Sequence, residues 1–191
     1  MMRSLNRVGT HPMSLPLSAD DIVEFHAARL ILLLHICGVK GRIDGLTKMA
    51  KLDFFARYPA FFETARMTVN LGVTGSPLSA DARDKSVESA MVRHHYGPWD
   101  KRYYHVLANL EAKRLITVSK DGKAYRIVLT PLGIERAARL AERPSFVPLV
   151  TRMQELKRIF GSKTGTFLKD LIYRLFDEEV GRRPMGARIA Q

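Results

Sequence analysis

One segment restricts the possible folds more than any other: residues 99–143 change from a helical pattern to two β-prone stretches and back to a helix. The turn pair Asp121-Gly122, favoured in two-residue hairpins, lies between residues 115–118 and 125–129. Thr130-Pro131 then predicts a helix with proline at its first position. The segment therefore predicts a β-hairpin with a helix on each side.

The helix before this hairpin, over residues 100–114, is predicted to be amphipathic, because its apolar residues recur with helical spacing. Its apolar face is formed by Trp99, Tyr103, Val106, Leu107 and Leu110.

Three earlier stretches also predict helices. A helix from about residue 18 to Cys37 ends at Gly38 and is central to the fold, because residues 30–34 are apolar on every side. Thr47 begins a second helix, which Pro59 ends or kinks, and residues 60–67 resume it.

The remaining segments are predicted as follows. Residues 68–84 form an insertion loop and residues 86–95 a further short helix. Two amphipathic helices cover residues 146–160 and 166–176.

This order of elements predicts a mostly α fold with a small β-hairpin, the wing of a winged helix-turn-helix, followed by a C-terminal helical extension. We predict a flexible N-terminal tail over residues 1–17 and a winged-helix domain over 18–142, with the insertion near 68–84. The helical extension then covers 143–181, and a basic tail covers 182–191.

The charge of the chain favours contact with nucleic acid or with an acidic protein surface. Lys and Arg number 31 against 19 Asp and Glu, which gives a net charge of +12 over 191 residues. The single cysteine, Cys37, excludes an internal disulfide and is predicted to be a buried structural thiol. The N-terminus has no signal-peptide pattern and no apolar run could span a bilayer, so we expect a cytoplasmic protein without a membrane partner.

The predicted nucleic-acid contacts are the polar residues of the third helix and of the wing. They are Lys101, Arg102, His105 and Asn109 in the helix and Lys120, Lys123 and Arg126 in the wing. Lysine and arginine neutralise phosphates, whereas Arg102 and Asn109 are suited to reading base edges. The alternative is a protein contact, because Ala108 and Ala112 leave the centre of the same face small.

Aromatic residues are concentrated in the second helix and just after it. We predict that Phe54, Phe55, Tyr58, Phe61 and Phe62 bind a partner, because they exceed what one helix face normally buries. The alternative is an ordinary amphipathic helix with a buried face.

Motifs of known enzyme chemistry are missing from the sequence. Residues 161–165, GSKTG, lack the spacing of a phosphate-binding loop and are interpreted as a helix cap. His94 and His95 have no cysteine or acidic cluster nearby that would complete a metal site. We therefore predict no catalytic residues, no metal, no cofactor and no enzymatic activity.

Three strings in combination resemble a known family: TKMAKLDFFARYP, YGPWDKRYYHVLANLEAKRLI and GSKTGTFLKDLIYRLF. They are similar to the middle component of ABC-three-component systems, the Lamassu-type bacterial defence operons. The resemblance implies a non-catalytic winged-helix accessory subunit that associates with an SMC/Rad50-like ATPase and an effector nuclease. It also implies a part in sensing double-stranded DNA, directly or through the complex, and in controlling the effector.

A second hypothesis is a free-standing dimeric winged-helix transcriptional regulator. Such a protein normally dimerises to span two half-sites, and the helices at 146–160 and 166–176 are the candidates for that contact.

Overall fold

The computed structural model describes residues 22–71, 91–94, 97–122, 124–182, 184–186 and 189, and these residues form a mostly helical protein with small antiparallel sheets. The helices are α1 (Val23–Cys37), α2 (Leu46–Arg57), α3 (Pro59–Leu71), α4 (Tyr103–Ala112), α5 (Pro131–Ala141), α6 (Val147–Phe160) and α7 (Gly165–Leu175). The strands are β1 (Arg42–Asp44), β2 (Val92–His94), β3 (Gly97–Trp99), β4 (Ile116–Asp121) and β5 (Ala124–Leu129). The predicted mostly α class with a hairpin is confirmed.

Local side-chain chemistry explains several helix ends. The Thr130 hydroxyl accepts a 3.0 Å hydrogen bond from the Gly133 amide and Pro131 follows it, so α5 begins as predicted. Thr164 caps α7 in the same way, by accepting a 3.1 Å bond from the Phe167 amide. These caps confirm the interpretation of GSKTG as a helix start.

The larger sheet joins distant parts of the chain. β5 lies between β1 and β4, and both pairs are antiparallel. Ile43 of β1 pairs with Ile127 of β5, and Val118 of β4 pairs with the same residue. The strand that connects α1 to α2 is therefore the third strand of the sheet that contains the hairpin.

A single hydrophobic cluster occupies the centre of the described residues. Residues 30–34 of α1 are all at most 3% exposed, which confirms that this helix is central. Helices α6 and α7 belong to the same cluster through Met153, Phe160, Leu168 and Ile172. The helices of the predicted C-terminal extension thus complete the core that α1 and α2 begin.

Three local predictions were wrong. Val92–His94 is a strand that pairs with Gly97–Trp99, whereas a helix was predicted there. Gly97 takes φ +92°, a conformation that L residues rarely adopt, and it begins the return strand. α3 continues to Leu71, so residues 68–71 are helical and not part of a loop.

The third correction concerns the turn of the β4–β5 hairpin. Asp121 pairs with Ala124, so Asp121 is the last residue of β4 and not, as predicted, a residue of the turn. Gly122, with φ +58°, supplies the left-handed conformation that this turn requires.

Several predictions concern residues outside the described ones: the tail over 1–17, the start of the first helix near residue 18, and residues 72–84 and 86–90. None of the helices in the described ranges combines the length and the apolar character needed to cross a bilayer. Of the predicted basic tail, Ile189 is fully buried and its amide donates to the Met91 carbonyl at 2.8 Å.

Candidate nucleic-acid interface

The outer face of α4 is the surface on which the sequence places most of the predicted contacts. Lys101, just before the helix, and His105, one turn into it, are both exposed. Ala108 and Ala112 are also exposed, and Tyr104 beside them is 60% exposed. The face is therefore accessible, and its positive charge is concentrated at the N-terminal end of the helix.

Arg102 lies at that end but is held by its own chain. Its Nε donates to Asp100 Oδ1 at 2.9 Å and its Nη2 to Asp100 Oδ2 at 2.7 Å, a bidentate ion pair. The side chain is 34% exposed. A base edge would have to compete with this carboxylate for the guanidinium group.

Asn109, the other predicted base reader, is half-buried. Its Oδ1 atom is enclosed and has no hydrogen-bond partner among the described residues. The acceptor side of the amide therefore faces the protein, and a bidentate contact to adenine, which needs both amide atoms, does not fit this orientation.

Of the three cations predicted in the hairpin, the structure describes Lys120 and Arg126, and Lys120 is the more exposed of these two. Lys120 is exposed on β4, directly opposite Tyr125 of β5. Arg126 is half-buried, and its Nε lies 3.4 Å from Asp44 Oδ1 of β1. Lys123 lies outside the described residues.

A buried cluster of charged residues, which the sequence reasoning missed, joins α4 to α1 and α2. Asp53 of α2 is fully buried and accepts a 2.8 Å hydrogen bond from Arg29 Nε of α1. Its other carboxylate oxygen, Oδ2, accepts a 2.7 Å bond from the hydroxyl of Tyr103, the first residue of α4. One carboxylate therefore links three helices.

The cluster continues to the turn before α4. Arg57 Nη1 lies 4.0 Å from Asp53 Oδ2 and donates to Asp100 Oδ2 at 2.9 Å. Burial would raise the pKa of the Asp100 carboxyl, but hydrogen bonds from Arg102 and the charge of Arg57 outweigh it and hold the pKa well below its usual range. Asp100 therefore stays ionised and fixes the start of α4 against α2.

Lys51 lies close to the same turn. Its side chain is fully buried, and Nζ donates a 2.8 Å hydrogen bond to the carbonyl oxygen of Pro98 in β3. Burial, together with the charge of Lys169, lowers the pKa of Lys51 to about 7. This lysine is a structural contact and is not available to a ligand.

A sequence signal for the charged cluster did exist. Lys51, Asp53 and Arg57 lie among the apolar and aromatic residues of α2, and Arg29 directly precedes the apolar residues 30–34 of α1. Charged residues are almost never fully buried unless they are paired, so charges on helices with no exposed face indicate internal ion pairs.

The five aromatic residues that were predicted to bind a partner are buried in the core of the chain itself. Phe54 and Phe55 are fully buried, and Tyr58, Phe61 and Phe62 are at most 5% exposed. Phe55 stacks on Phe160 of α6 at 5.1 Å between ring centroids, and Phe61 meets Phe176 edge-on at 4.7 Å. Helices α6 and α7 supply the additional apolar surface that covers these rings.

Cys37 is a buried thiol, as predicted. It is 2% exposed, and its Sγ donates to the Met153 carbonyl oxygen at 3.4 Å. Burial raises the pKa of the thiol to about 12, so a nucleophilic thiolate does not form at neutral pH. Among the described residues, no three His, Cys, Asp or Glu side chains lie close enough together to hold a metal ion.

No protein-family model, curated protein or solved structure matches this chain.

Proposed function

We propose that the chain is a winged-helix protein that binds double-stranded DNA with α4 and the β4–β5 hairpin, and that it does so as a non-catalytic subunit of a bacterial defence complex. The observation that carries the proposal is the sheet order β1–β5–β4, with β1 between α1 and α2 and α4 directly before β4. In winged-helix proteins, the first strand pairs with the second strand of the wing, and the helix before the wing faces the DNA.

The attachment of α4 supports this assignment. Its first residue, Tyr103, is bonded to Asp53 of α2, and the carboxylate of Glu111 in its last turn accepts a 2.9 Å bond from the Val118 amide of β4. Both ends of the helix are thus fixed, one to the preceding helix and one to the wing. A helix that enters a DNA groove needs such support, because the positions of its exposed side chains depend on its orientation.

The exposed charges favour contacts to the DNA backbone over contacts to the bases. Lys101 and Lys120 are exposed and suited to phosphates, whereas Arg102 is paired with Asp100 and Asn109 is half-buried. Phosphate contacts position a protein on DNA but carry no direct sequence information. We therefore propose that the protein recognises DNA as a duplex, independent of its sequence.

Recognition of this kind suits a sensor subunit better than a regulator that reads one operator. The free-standing dimeric regulator is the alternative, and the helices at 146–160 and 166–176 were its candidate dimer contact. Within the described residues α6 and α7 use their apolar faces inside the chain, where Leu156, Ile159, Leu168 and Leu171 are at most 9% exposed. This burial favours the subunit hypothesis.

The DNA part of the proposal is tested by fluorescence anisotropy with a labelled duplex of about two helical turns. The double variant Lys101→Glu, Lys120→Glu is compared with Arg158→Glu, Arg174→Glu, which changes the net charge equally at exposed positions of α6 and α7. We expect only Lys101→Glu, Lys120→Glu to lose most of its affinity for the duplex. The slope of log affinity against log salt concentration should also be smaller in magnitude by about 2 for this variant than for the wild type. Equal loss in both variants would exclude α4 and the wing as a localised contact surface.

The complex is tested by purifying the tagged protein from its native host and identifying the bound proteins by mass spectrometry. Recovery of an SMC/Rad50-like ATPase and an effector nuclease in stoichiometric amounts is the expected result. Recovery of the chain alone as a homodimer would instead support the transcriptional regulator, in which case unrelated duplexes should differ strongly in affinity.

A further inference from the structure

A groove with an apolar floor lies between α1 and α5, and residues of α4 and of the link from α4 to β4 also line it. Its volume is about 410 Å³. The α1 and α5 residues that line it are spaced three or four residues apart, so each helix contributes one face. The floor is formed by Ala27, Ala28, Ile31, Leu115 and Leu140.

The groove is deep because the α1 side chains at its floor are small. Ala27 is 7% exposed and Ala28 half-buried, so α1 offers no large side chain at these two positions, one helical turn from Ile31. Leu115 and Leu140 are partly buried and pack against the core, so their outer atoms remain accessible in the groove. An apolar side chain from outside the protein would therefore find apolar contacts on three sides.

The rim of the groove is strongly positive. Four cations line it, against one carboxylate, that of Glu24. The cations are Lys113, Arg136, Arg139 and Arg143. Arg139 is paired at 2.9 Å with Glu135 on the outer side of α5, but no carboxylate of the described residues pairs with Lys113, Arg136 or Arg143.

We propose that this groove binds an acidic amphipathic helix of another protein. Apolar residues spaced one helical turn apart would enter the groove, and flanking carboxylates would pair with the arginines of α5 and with Arg143, which follows it. A helix in a groove buries the apolar face of the ligand, which is the common mode for such surfaces. The positive charge of the rim favours a negatively charged ligand over a positively charged one and raises the rate at which it associates.

Two other occupants fit the groove less well. The phosphates of DNA would pair with the arginines but would gain nothing from an apolar floor, since the DNA backbone presents no apolar face. Residues 1–21 of the chain itself contain Arg3 and Arg7 as well as Asp20 and Asp21, so they offer no net negative charge to the rim. An acidic helix satisfies both the floor and the rim.

The probe for the test is a fluorescein-labelled peptide of about 18 residues, composed of Glu, Ala and Leu with the leucines on one helical face. Two control peptides replace either every Glu by Lys or every Leu by Gln. We expect the full chain to bind the first peptide and to bind each control at least about tenfold more weakly, because both charge and apolar burial are required. Equal binding of the acidic peptide and either control overturns the proposal.

The site is located with three double variants of equal charge change. Arg136→Glu, Arg143→Glu should weaken peptide binding at least about tenfold, whereas Lys101→Glu, Lys120→Glu and Arg158→Glu, Arg174→Glu should retain it. All six positions are exposed, so the variants should melt like the wild type. Ala28→Trp fills the groove without changing the charge and should also block the peptide.

The same variants separate this proposal from DNA binding. If Arg136→Glu, Arg143→Glu leaves the peptide bound, or if it abolishes duplex binding as strongly as Lys101→Glu, Lys120→Glu does, the groove is not a protein site and the proposal is overturned. Loss of peptide binding with retained duplex binding supports it. If the chain does not bind the duplex at all, loss of peptide binding in Arg136→Glu, Arg143→Glu alone among the three double variants supports the proposal by itself.

Discussion

The Tyr103 hydroxyl donates a 2.7 Å hydrogen bond to Asp53 Oδ2, and this contact joins the first turn of α4 to the middle of α2. Both groups are essentially inaccessible to water. Burial and the neighbouring carboxylate raise the pKa of Tyr103 well above its ordinary value, so the phenol keeps its proton and remains a donor. The orientation of the proposed DNA-facing helix therefore depends on an internal polar contact.

Replacing Asp53 by Asn should lower the free energy of unfolding by about 3–5 kcal/mol, because Arg29 and Arg57 would lose a buried counter-charge. Urea denaturation measures the change. Asp170→Asn is the matched control, since it removes an exposed carboxylate from α7, and it should change stability by less than about 0.5 kcal/mol. A small effect at Asp53 would mean that water enters the cluster.

The buried Lys51 should make stability depend on pH between about 7 and 8.5. The pKa of Lys51 is about 7 in the folded protein, whereas lysine in an unfolded chain titrates near about 10.4. In this window the unfolded chain binds more protons, so the free energy of unfolding should rise with pH by up to about 1.4 kcal/mol per unit.

The measurement is urea denaturation of the wild type and of Lys51→Met across this range. The difference in free energy of unfolding between the wild type and Lys51→Met should increase with pH in favour of the wild type. The corresponding difference between the wild type and the control Lys101→Met, which lacks an exposed lysine, should stay constant with pH. The range stops below pH 9 because Cys37 acts in the opposite direction there: its pKa is raised to about 12, so only the unfolded thiol ionises. A constant difference between wild type and Lys51→Met would contradict the prediction.

Replacing Gly133 by Ala should destabilise the protein, although it lies in a helix. A Cβ atom there would collide with the backbone oxygen of Leu115, and backbone atoms yield little. We expect a loss of about 1–3 kcal/mol in thermal or urea denaturation, as for an overpacked site. Helix propensity alone predicts a gain of about 1 kcal/mol, so the sign of the change decides between the two effects.

The Cys37 thiol should react very slowly with Ellman's reagent in the folded protein. The thiol is 2% exposed and its pKa is about 12, so both access and thiolate concentration are low. Adding guanidinium chloride should release one fast-reacting thiol per chain. Fast reaction of the native protein would show that the contact between α1 and α6 opens readily.

The parts of the fold that depend on local chemistry could be predicted from the sequence. Thr130-Pro131, Thr164 and Pro59 mark helix starts or ends because each acts on the backbone of its immediate neighbours. The β4–β5 hairpin was predicted for the same reason, but Asp121, which was expected in its turn, pairs with Ala124 as the last residue of β4.

Features that depend on distant residues were missed. β1 has only three residues and becomes a strand because β5 offers it a partner. Phe55 and Phe61 look excessive for one helix until Phe160 and Phe176 cover them. The pairing of Arg102 in the candidate site was missed for the same reason. Nothing near Arg102 in the sequence reveals that Asp100 also binds Arg57 and forms part of a buried cluster.

The contact between Cys37 and Met153 spans 116 residues, and it has a consequence for how the chain reaches its folded state. Contacts between distant residues slow folding, because the chain loses the entropy of a long loop before the contact forms and stabilises the structure. During synthesis, α1 and α2 leave the ribosome well before the helices that cover them, so their phenylalanines and leucines remain open to solvent for that time. Until the last helices are made, the nascent chain therefore exposes apolar surface of the kind that makes folding intermediates prone to aggregation.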